Sequence, residues 1–376
     1  MPLALLHLLA AGFEFRFDLK IGTRPSPLAI AQAELVAASL SLAAPGTTTS
    51  LVPLKIEADE KLQEPLAKVD FTSDLDSAVL RGEVDLAVHS LKDLPPKNRW
   101  SQGLTIACHL PRASPLDVIV GVPSLCALRP GGRVGTASVR RQAQLKAARP
   151  DLTVVQVRGT VGSRLAMLDS GDVDALVLAK AGLERLGGVE GREVCELPSD
   201  VMLPGAGQGV VCAVCREDGD ALRLLRAADD PDAHVAAAAE CALLDVVDAA
   251  SKGQGRPPLG VLMAREMDTS GAPIWKLRGL VAAADGSRVT RVERSAPALC
   301  GVSEAAVLGK EAGDALLAAA LAEDETPQEP PSQPSSSSSS VKALMDLRGG
   351  AVAAAQSPHQ DARGEVPKLL PSWEVI

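Results

Sequence analysis

Aromatic residues are nearly missing from this 376-residue sequence: three Trp, four Phe and no Tyr, 2% in all. A stacking platform for single-stranded nucleic acid cannot be built from that alphabet. Basic residues are not in excess either. Lys and Arg number 38 against 47 Asp and Glu, a net charge of −9, which argues against a general phosphate-backbone binder. No apolar run approaches the ~18 residues of a membrane span. The opening MPLALLHLLAAGF has a short apolar stretch but no basic flank, so it makes a poor signal peptide. It reads as the remnant of a targeting leader or as an imprecise start. Neither a phosphate-cradling Gly-Lys loop, nor a dinucleotide glycine fingerprint, nor a metal-ligand spacing is present, which sets nucleotide and metal enzymes aside.

What is abundant is aliphatic. Hydrophobic residues make up 46%, so the core is expected to be Leu, Val and Ala, and the length suggests two or three domains. Seven cysteines (108, 126, 195, 212, 215, 241 and 300) are an odd number scattered along a long chain. That is no disulfide framework, and it favours a reducing compartment. Cys212 and Cys215 form a lone C-x-x-C inside VVCAVC, which reads as an apolar strand and not as a redox or metal motif.

From about residue 18 to 215, short β-like runs alternate with helix-like stretches. KIG (20–22) leads to Ser26 and Pro27, a good N-cap and first-turn pair, and then to LAIAQAELVAASL with Leu28, Ala31 and Leu35 at helical spacing. VDLAVHS (84–90), RVGT (133–136), TVVQV (153–157) and DALVLA (174–179) are further strands, each running into a polar loop or a helix start. This rhythm predicts parallel sheets covered by helices, with ligands beyond the carboxyl ends of the strands. After about 230 the rhythm changes. A helix (233–247), three strands near 258–264, 274–283 and 288–294, and a helix (303–323) predict a small α+β domain, with Asp285-Gly286 as a hairpin turn. Beyond it, EDETPQEPPSQPSSSSSS is low-complexity and cannot pack a core; the tail is expected to be disordered.

Charge concentrates in two places. Residues 133–164 hold Arg133, Arg140, Arg141, Arg149, Arg158, Arg164, Lys146 and one acid, Asp151, a net +6 in an acidic chain. Arg140 and Arg141 fall in the first turn of a helix capped by Ser138, and Arg158 and Arg164 flank another strand–helix junction. Guanidinium forks beside free helix N–H groups make strong carboxylate or phosphate sites. A solvated helix face suits Lys146 and Arg149 equally well. The second place is His89-Ser90-Leu91-Lys92-Asp93-Leu94-Pro95 at the end of the VDLAV strand. A carboxylate beside a lysine there fits general acid/base or cation-stabilising work, and equally a solvated turn with an exposed ion pair.

Several runs together resemble one family. KIGTRPSPLAIAQAE (20–34), VDLAVHSLKDLP (84–95), GRVGTASVRRQAQLKAARPDL (132–152), VRGTVGSRLAMLDSG (157–171), LVLAKAGLERLG (176–187) and LPGAGQGVVCAVCRED (203–218) are similar to porphobilinogen deaminases, also called hydroxymethylbilane synthases, over roughly residues 18–323. The resemblance implies an α/β fold: two periplasmic-binding-protein-like lobes with parallel-rich sheets, a cleft between them and a smaller α+β third domain. On that plan residues 18–112 with 206–229 form the first domain, 113–205 the second and 230–323 the third, between an N-terminal extension (1–17) and a tail (324–376). It also implies a dipyrromethane cofactor on a third-domain cysteine, and porphobilinogen as substrate. Four porphobilinogens are condensed head to tail, with loss of ammonia, in heme and chlorophyll synthesis. The family is usually monomeric, and neither nucleic acid nor membrane is an expected partner. Cytoplasm and plastid are both open as compartments.

Carried over by motif, Arg24, Arg140, Arg141, Arg158, Arg164 and Arg185 would bind the acetate and propionate groups of the pyrroles. Ser26, Ser90, Lys92, Thr136 and Ser138 would add hydrogen bonds. Asp93 would be the catalytic carboxylate, facing the pyrrole N–H groups and stabilising the cation left by deamination.

Three departures stand out. The family's cofactor cysteine lies in a Gly-Gly-Cys-Gln-x-Pro-x-Gly segment; here AASKGQGRPPLGV (249–261) has no cysteine. The slot falls on Ser251 counted from the preceding helix, or on Gly255 counted back from Pro258 and Gly260. The family's Lys-rich loop is shortened to VDFTSDLDSAV (69–79), with Ser73 where a lysine is expected. In IEAD (56–59), Asp59 matches but Glu57 replaces an arginine.

Overall fold

The computed structural model describes residues 17–56, 72–96, 100–252 and 255–325. Asp59, most of the N-terminal extension, the start of the shortened loop and nearly all of the tail lie outside the described residues. Two five-stranded sheets and one three-stranded sheet carry the fold.

The first sheet runs β2 (Thr47–Pro53), β1 (Phe17–Thr23), β3 (Leu86–Ser90), β10 (Val211–Arg216), β4 (Leu104–His109). The second runs β7 (Thr153–Val155), β6 (Arg133–Gly135), β8 (Ala175–Ala179), β5 (Asp117–Val120), β9 (Val194–Leu197). In both, the first three strands are parallel, as the β-loop-α rhythm implies, and the fourth pairs antiparallel with its two neighbours. The antiparallel members β10 and β5 are the strands that follow the two crossings of the chain between sheets. Each sheet therefore lies where residues 110–116 and 198–210 join it to the other.

Helix α1 (Pro27–Ala43) starts where expected: Ser26 Oγ accepts from Ala29 N at 3.3 Å and Pro27 occupies the first turn. It buries Gln32, Ala33, Val36 and Leu40 against the first sheet, whose core includes Leu19, Ile21, Leu86 and Cys215. Cys212 packs on the other face, with Val84, Ala87 and Leu91. An i, i+3 pair on a strand points to opposite sides, so these two thiols cannot bridge.

The third layer packs α7 (Pro231–Ala250) and α8 (Val302–Glu325) on antiparallel β11 (Leu259–Met267), β12 (Pro273–Ala282) and β13 (Val289–Pro297). The turn between β12 and β13 is as expected: Asp285 Oδ1 accepts from Ser287 N, and Gly286 takes φ +75°. A Cβ on Gly286 would lie 2.5 Å from Ala147 N, so the glycine lets this hairpin dock on helix α3 (Val139–Ala148) of the second sheet. No helix among the described residues is long and apolar enough to cross a membrane.

Candidate functional site

The carboxyl ends of β3 and β6 meet where the two crossings join the sheets. After β3, Leu91–Asp93 form one 3-10 turn, with Leu91 buried and Lys92 and Asp93 exposed. Gly207, on the second crossing, presses on that turn. Its φ is +71°, and a Cβ there would sit 2.6 Å from Leu91 Cγ, so only glycine fits beneath Lys92 and Asp93.

Across from this turn, Ser138 caps α3 by accepting from Arg141 N at 3.5 Å, and Thr136 Oγ1 accepts from Ser138 N at 3.2 Å. These caps fix the first turn that carries Arg140 and Arg141. Helix α4 (Val161–Asp169) is capped by Thr160, and Arg164 in its first turns donates from Nε to Gly159 O at 3.0 Å.

The electrostatics tie these elements together. Lys92 is pushed down to about 8, first by desolvation and then by Arg141 and Arg140, against the opposing pull of Asp93 and Asp117. Its side chain nonetheless reaches solvent. Arg164 is pushed down to about 10 by desolvation and by Arg141 and Arg158, with Asp93 opposing. Asp93 and Lys92 of the first lobe thus share one field with Arg140, Arg141, Arg158 and Arg164 of the second.

Arg140 and Arg141 differ from the expectation that both reach out to substrate. They are only 8% and 6% exposed and turn inward. Arg140 Nη1 lies 2.8 Å from Asp117 Oδ2, and Arg141 Nη2 donates to Asp117 Oδ1 at 2.8 Å. Gln208 Nε2 donates to the same Oδ1 at 2.8 Å. Burial would raise the Asp117 carboxyl, but the two guanidiniums hold it well below the usual carboxylate range. Further bonds run to Leu203 O, 2.7 Å from Arg140 Nη1, and Val177 O, 2.9 Å from Arg141 Nη1. These arginines are preloaded with an internal carboxylate. They act on the site through their field, while Lys92 is exposed and Arg158 and Arg164 are half-buried. Asp117 escaped the sequence reading, although a lone Asp heading the apolar run DVIV was a signal.

The other expected residues are spread around this centre. Ser90 Oγ accepts from Gln32 Nε2 at 2.8 Å, at the end of β3. Arg24 and Ser26 are half-buried at the end of β1 and the start of α1. Arg185 donates from Nη2 to Gly209 O at 2.7 Å, tying helix α5 (Lys180–Arg185) to the second crossing, and burial lowers its pKa. A second buried pair also went unread. Arg112 on the first crossing donates from Nη1 to Glu240 Oε1 at 2.6 Å, and the fully buried Glu240 accepts Gly207 N and Met263 N, each at 2.7 Å. One carboxylate of α7 therefore joins both crossings to the third layer. Its signal was a single acid on the buried face of AHVAAAAECALL.

A covalently attached dipyrromethane does not fit the residues present. Ser251, which closes α7, donates from Oγ to Val247 O at 2.8 Å and has no thiol. Gly255 has no side chain at all. Cys241, the nearest in sequence, is pushed up to about 12 by burial and by Glu240 and Asp245, so it holds no thiolate for substitution.

Three solved structures are similar over part of the chain. A probable amino-acid ABC transporter extracellular-binding protein from Bacillus subtilis is 14% identical, with 57% of this chain and 88% of that chain covered and a TM-score of 0.35. A periplasmic substrate-binding protein of an ABC transporter from Coxiella burnetii is 15% identical, covering 57% and 93%, with a TM-score of 0.36. YhfZ from Shigella flexneri is 19% identical, covering 57% and 90%, with a TM-score of 0.32. A family profile described as porphobilinogen deaminase, dipyromethane cofactor binding domain, matches residues 19–223, more than half of the chain and nearly all of both five-stranded sheets. The chain belongs to the porphobilinogen deaminase family.

Proposed function

We propose that this chain condenses porphobilinogen head to tail, to the linear tetrapyrrole hydroxymethylbilane, in the cleft between Asp93 and the arginines of the second lobe. The observation that carries this reading is the pairing of one exposed carboxylate, Asp93, with a cationic wall of Lys92, Arg158 and Arg164. Porphobilinogen brings an acetate, a propionate and an aminomethyl group. Lys92, Arg158 and Arg164 take the carboxylates, and their charge grows in value as the chain of pyrroles lengthens.

Asp93 faces the pyrrole N–H. When the C–N bond of the protonated aminomethyl breaks, ammonia leaves with the bonding electron pair and the pyrrole keeps a positive charge. A fixed carboxylate stabilises that cation as it forms. The free α-carbon of the next pyrrole then forms the new C–C bond and sheds its proton, which Asp93 is placed to accept. Water adding to the last cation gives the hydroxymethyl end. One preorganised group of this kind contributes ~3–4 kcal/mol to the barrier, or about 10²–10³-fold in rate.

The missing thiol favours a second reading, in which the cleft binds oligopyrrole carboxylates without turnover. One experiment separates them. Purified protein is given porphobilinogen and assayed for hydroxymethylbilane, alongside Asp93→Ala. Turnover that falls about 10²–10³-fold in the variant supports catalysis. Binding without any product supports the second reading, and turnover untouched by the substitution removes Asp93 from the mechanism.

A further inference from the structure

Away from the cleft, three side chains far apart in sequence converge. His109 ends β4, while Asp229 and His234 bracket the start of α7. Asp229 Oδ1 accepts from His109 N at 2.7 Å and lies 2.9 Å from His109 Nδ1; its Oδ2 lies 2.7 Å from His234 Nδ1. The two imidazoles stack, with centroids 4.5 Å apart and planes at 30°. Their ligand atoms and the carboxylate all fall within 4.8 Å of one another. Sequence reading found no metal-ligand spacing because two of these residues are 120 positions apart.

Helix capping does not explain Asp229. Its neighbour Asp230 does that work, accepting Ala233 N at 2.8 Å. The Asp229 carboxylate stands between the two rings, with Oδ1 toward His109 and Oδ2 toward His234. A carboxylate only accepts, so each Nδ1 facing it carries a proton. Those two protons occupy the space that one cation would take.

We propose that His109, Asp229 and His234 form a binding site for a first-row divalent metal ion of the zinc class. Two imidazole nitrogens and one carboxylate are the donor set that suits Zn²⁺, Co²⁺ or Ni²⁺ over Mg²⁺ or Ca²⁺, and three protein ligands leave a position for water. On binding, each ring carries its proton on Nε2 in place of Nδ1 and turns the freed lone pair on the metal. His234 is 39% exposed along its side chain, which gives the ion an entry route and gives its ring room to adjust. Cys108, next to His109, is not a fourth ligand. Its Sγ donates to Ala228 O at 3.4 Å, and the residue is buried.

The site joins the end of a first-sheet strand to the first turn of the third layer's long helix. That is the same junction the Arg112–Glu240 pair braces three residues further along the chain. The ion therefore acts as a staple between layers and takes no part in the chemistry of the cleft.

The test uses untagged full-length protein stripped of metal and titrated with Co²⁺ and, separately, Zn²⁺. The expected result is one equivalent of Co²⁺ with visible ligand-field bands, competition by Zn²⁺, and a rise in melting temperature with Zn²⁺. His234→Ala, at a partly exposed position, is expected to weaken binding by at least about tenfold and to remove the rise in melting temperature. Asp229→Asn is the second variant and is expected to weaken binding likewise. Absence of stoichiometric binding, binding unchanged in His234→Ala, or a thiolate-to-cobalt charge-transfer band would each overturn the assignment.

Discussion

Replacing Asp117 by Asn keeps the side chain's size and removes its charge. In the native chain that carboxylate is completely buried and meets Arg140, Arg141 and Gln208, each at 2.8 Å. The substitution leaves two guanidiniums, 8% and 6% exposed, with Leu203 O, Val177 O and one neutral amide oxygen as acceptors and no negative charge. Stranding buried charge in this way costs about 3–5 kcal/mol. The pair Arg149–Asp151 is the control: it is bidentate, but Asp151 is 38% exposed along its side chain, so Asp151→Asn should cost under about 1 kcal/mol.

Urea unfolding of the three proteins, followed by circular dichroism, reads the difference. The pH dependence carries a sign as well. Asp117 is lowered from the ordinary 3.8, so its contribution is fully present above that value and is lost as the pH falls through its lower folded value. Native protein should therefore lose stability in acid more steeply than Asp117→Asn. A loss under about 1 kcal/mol, or equal losses in variant and control, would refute the view of Arg140 and Arg141 as internally paired.

Two further outcomes follow from the same geometry. Lys92 titrates at about 8, so it is charged below that pH and neutral above it. Affinity for an oligopyrrole carboxylate, measured by fluorescence titration, should fall as the pH rises through about 8, and Lys92→Met should flatten that step. Gly207→Ala places a Cβ 2.6 Å from Leu91 Cγ at a φ of +71°. It should cost about 1–2 kcal/mol of stability and lower kcat by displacing Asp93; unchanged kcat would show that the turn tolerates the shift.

Much of the fold was legible because its punctuation is local. Ser26-Pro27 marks a helix start, Ser138 caps another, and Asp285-Gly286 closes a hairpin. Strand direction was not legible. VVCAVC and DVIV are short apolar runs whose antiparallel insertion depends on where the chain crosses between sheets, which periodicity does not encode. The site was half legible. Strand-end placement brought out Lys92, Asp93 and the arginines, but whether an arginine faces solvent or a buried partner depends on contacts such as Asp117, 23 and 24 residues from Arg140 and Arg141. Which residues pair was hidden for the same reason in the proposed metal site and in the Arg112–Glu240 tie, whose partners are 120 and 128 positions apart.

The central claim is that this cleft carries out the family's condensation without a thioether-bound primer. Mass spectrometry under denaturing conditions, before and after incubation with porphobilinogen and alongside an assay for hydroxymethylbilane, tests it most directly. The account predicts product together with an unmodified polypeptide mass. A mass increment of pyrrole units mapped to one residue, or no product at all, would contradict it.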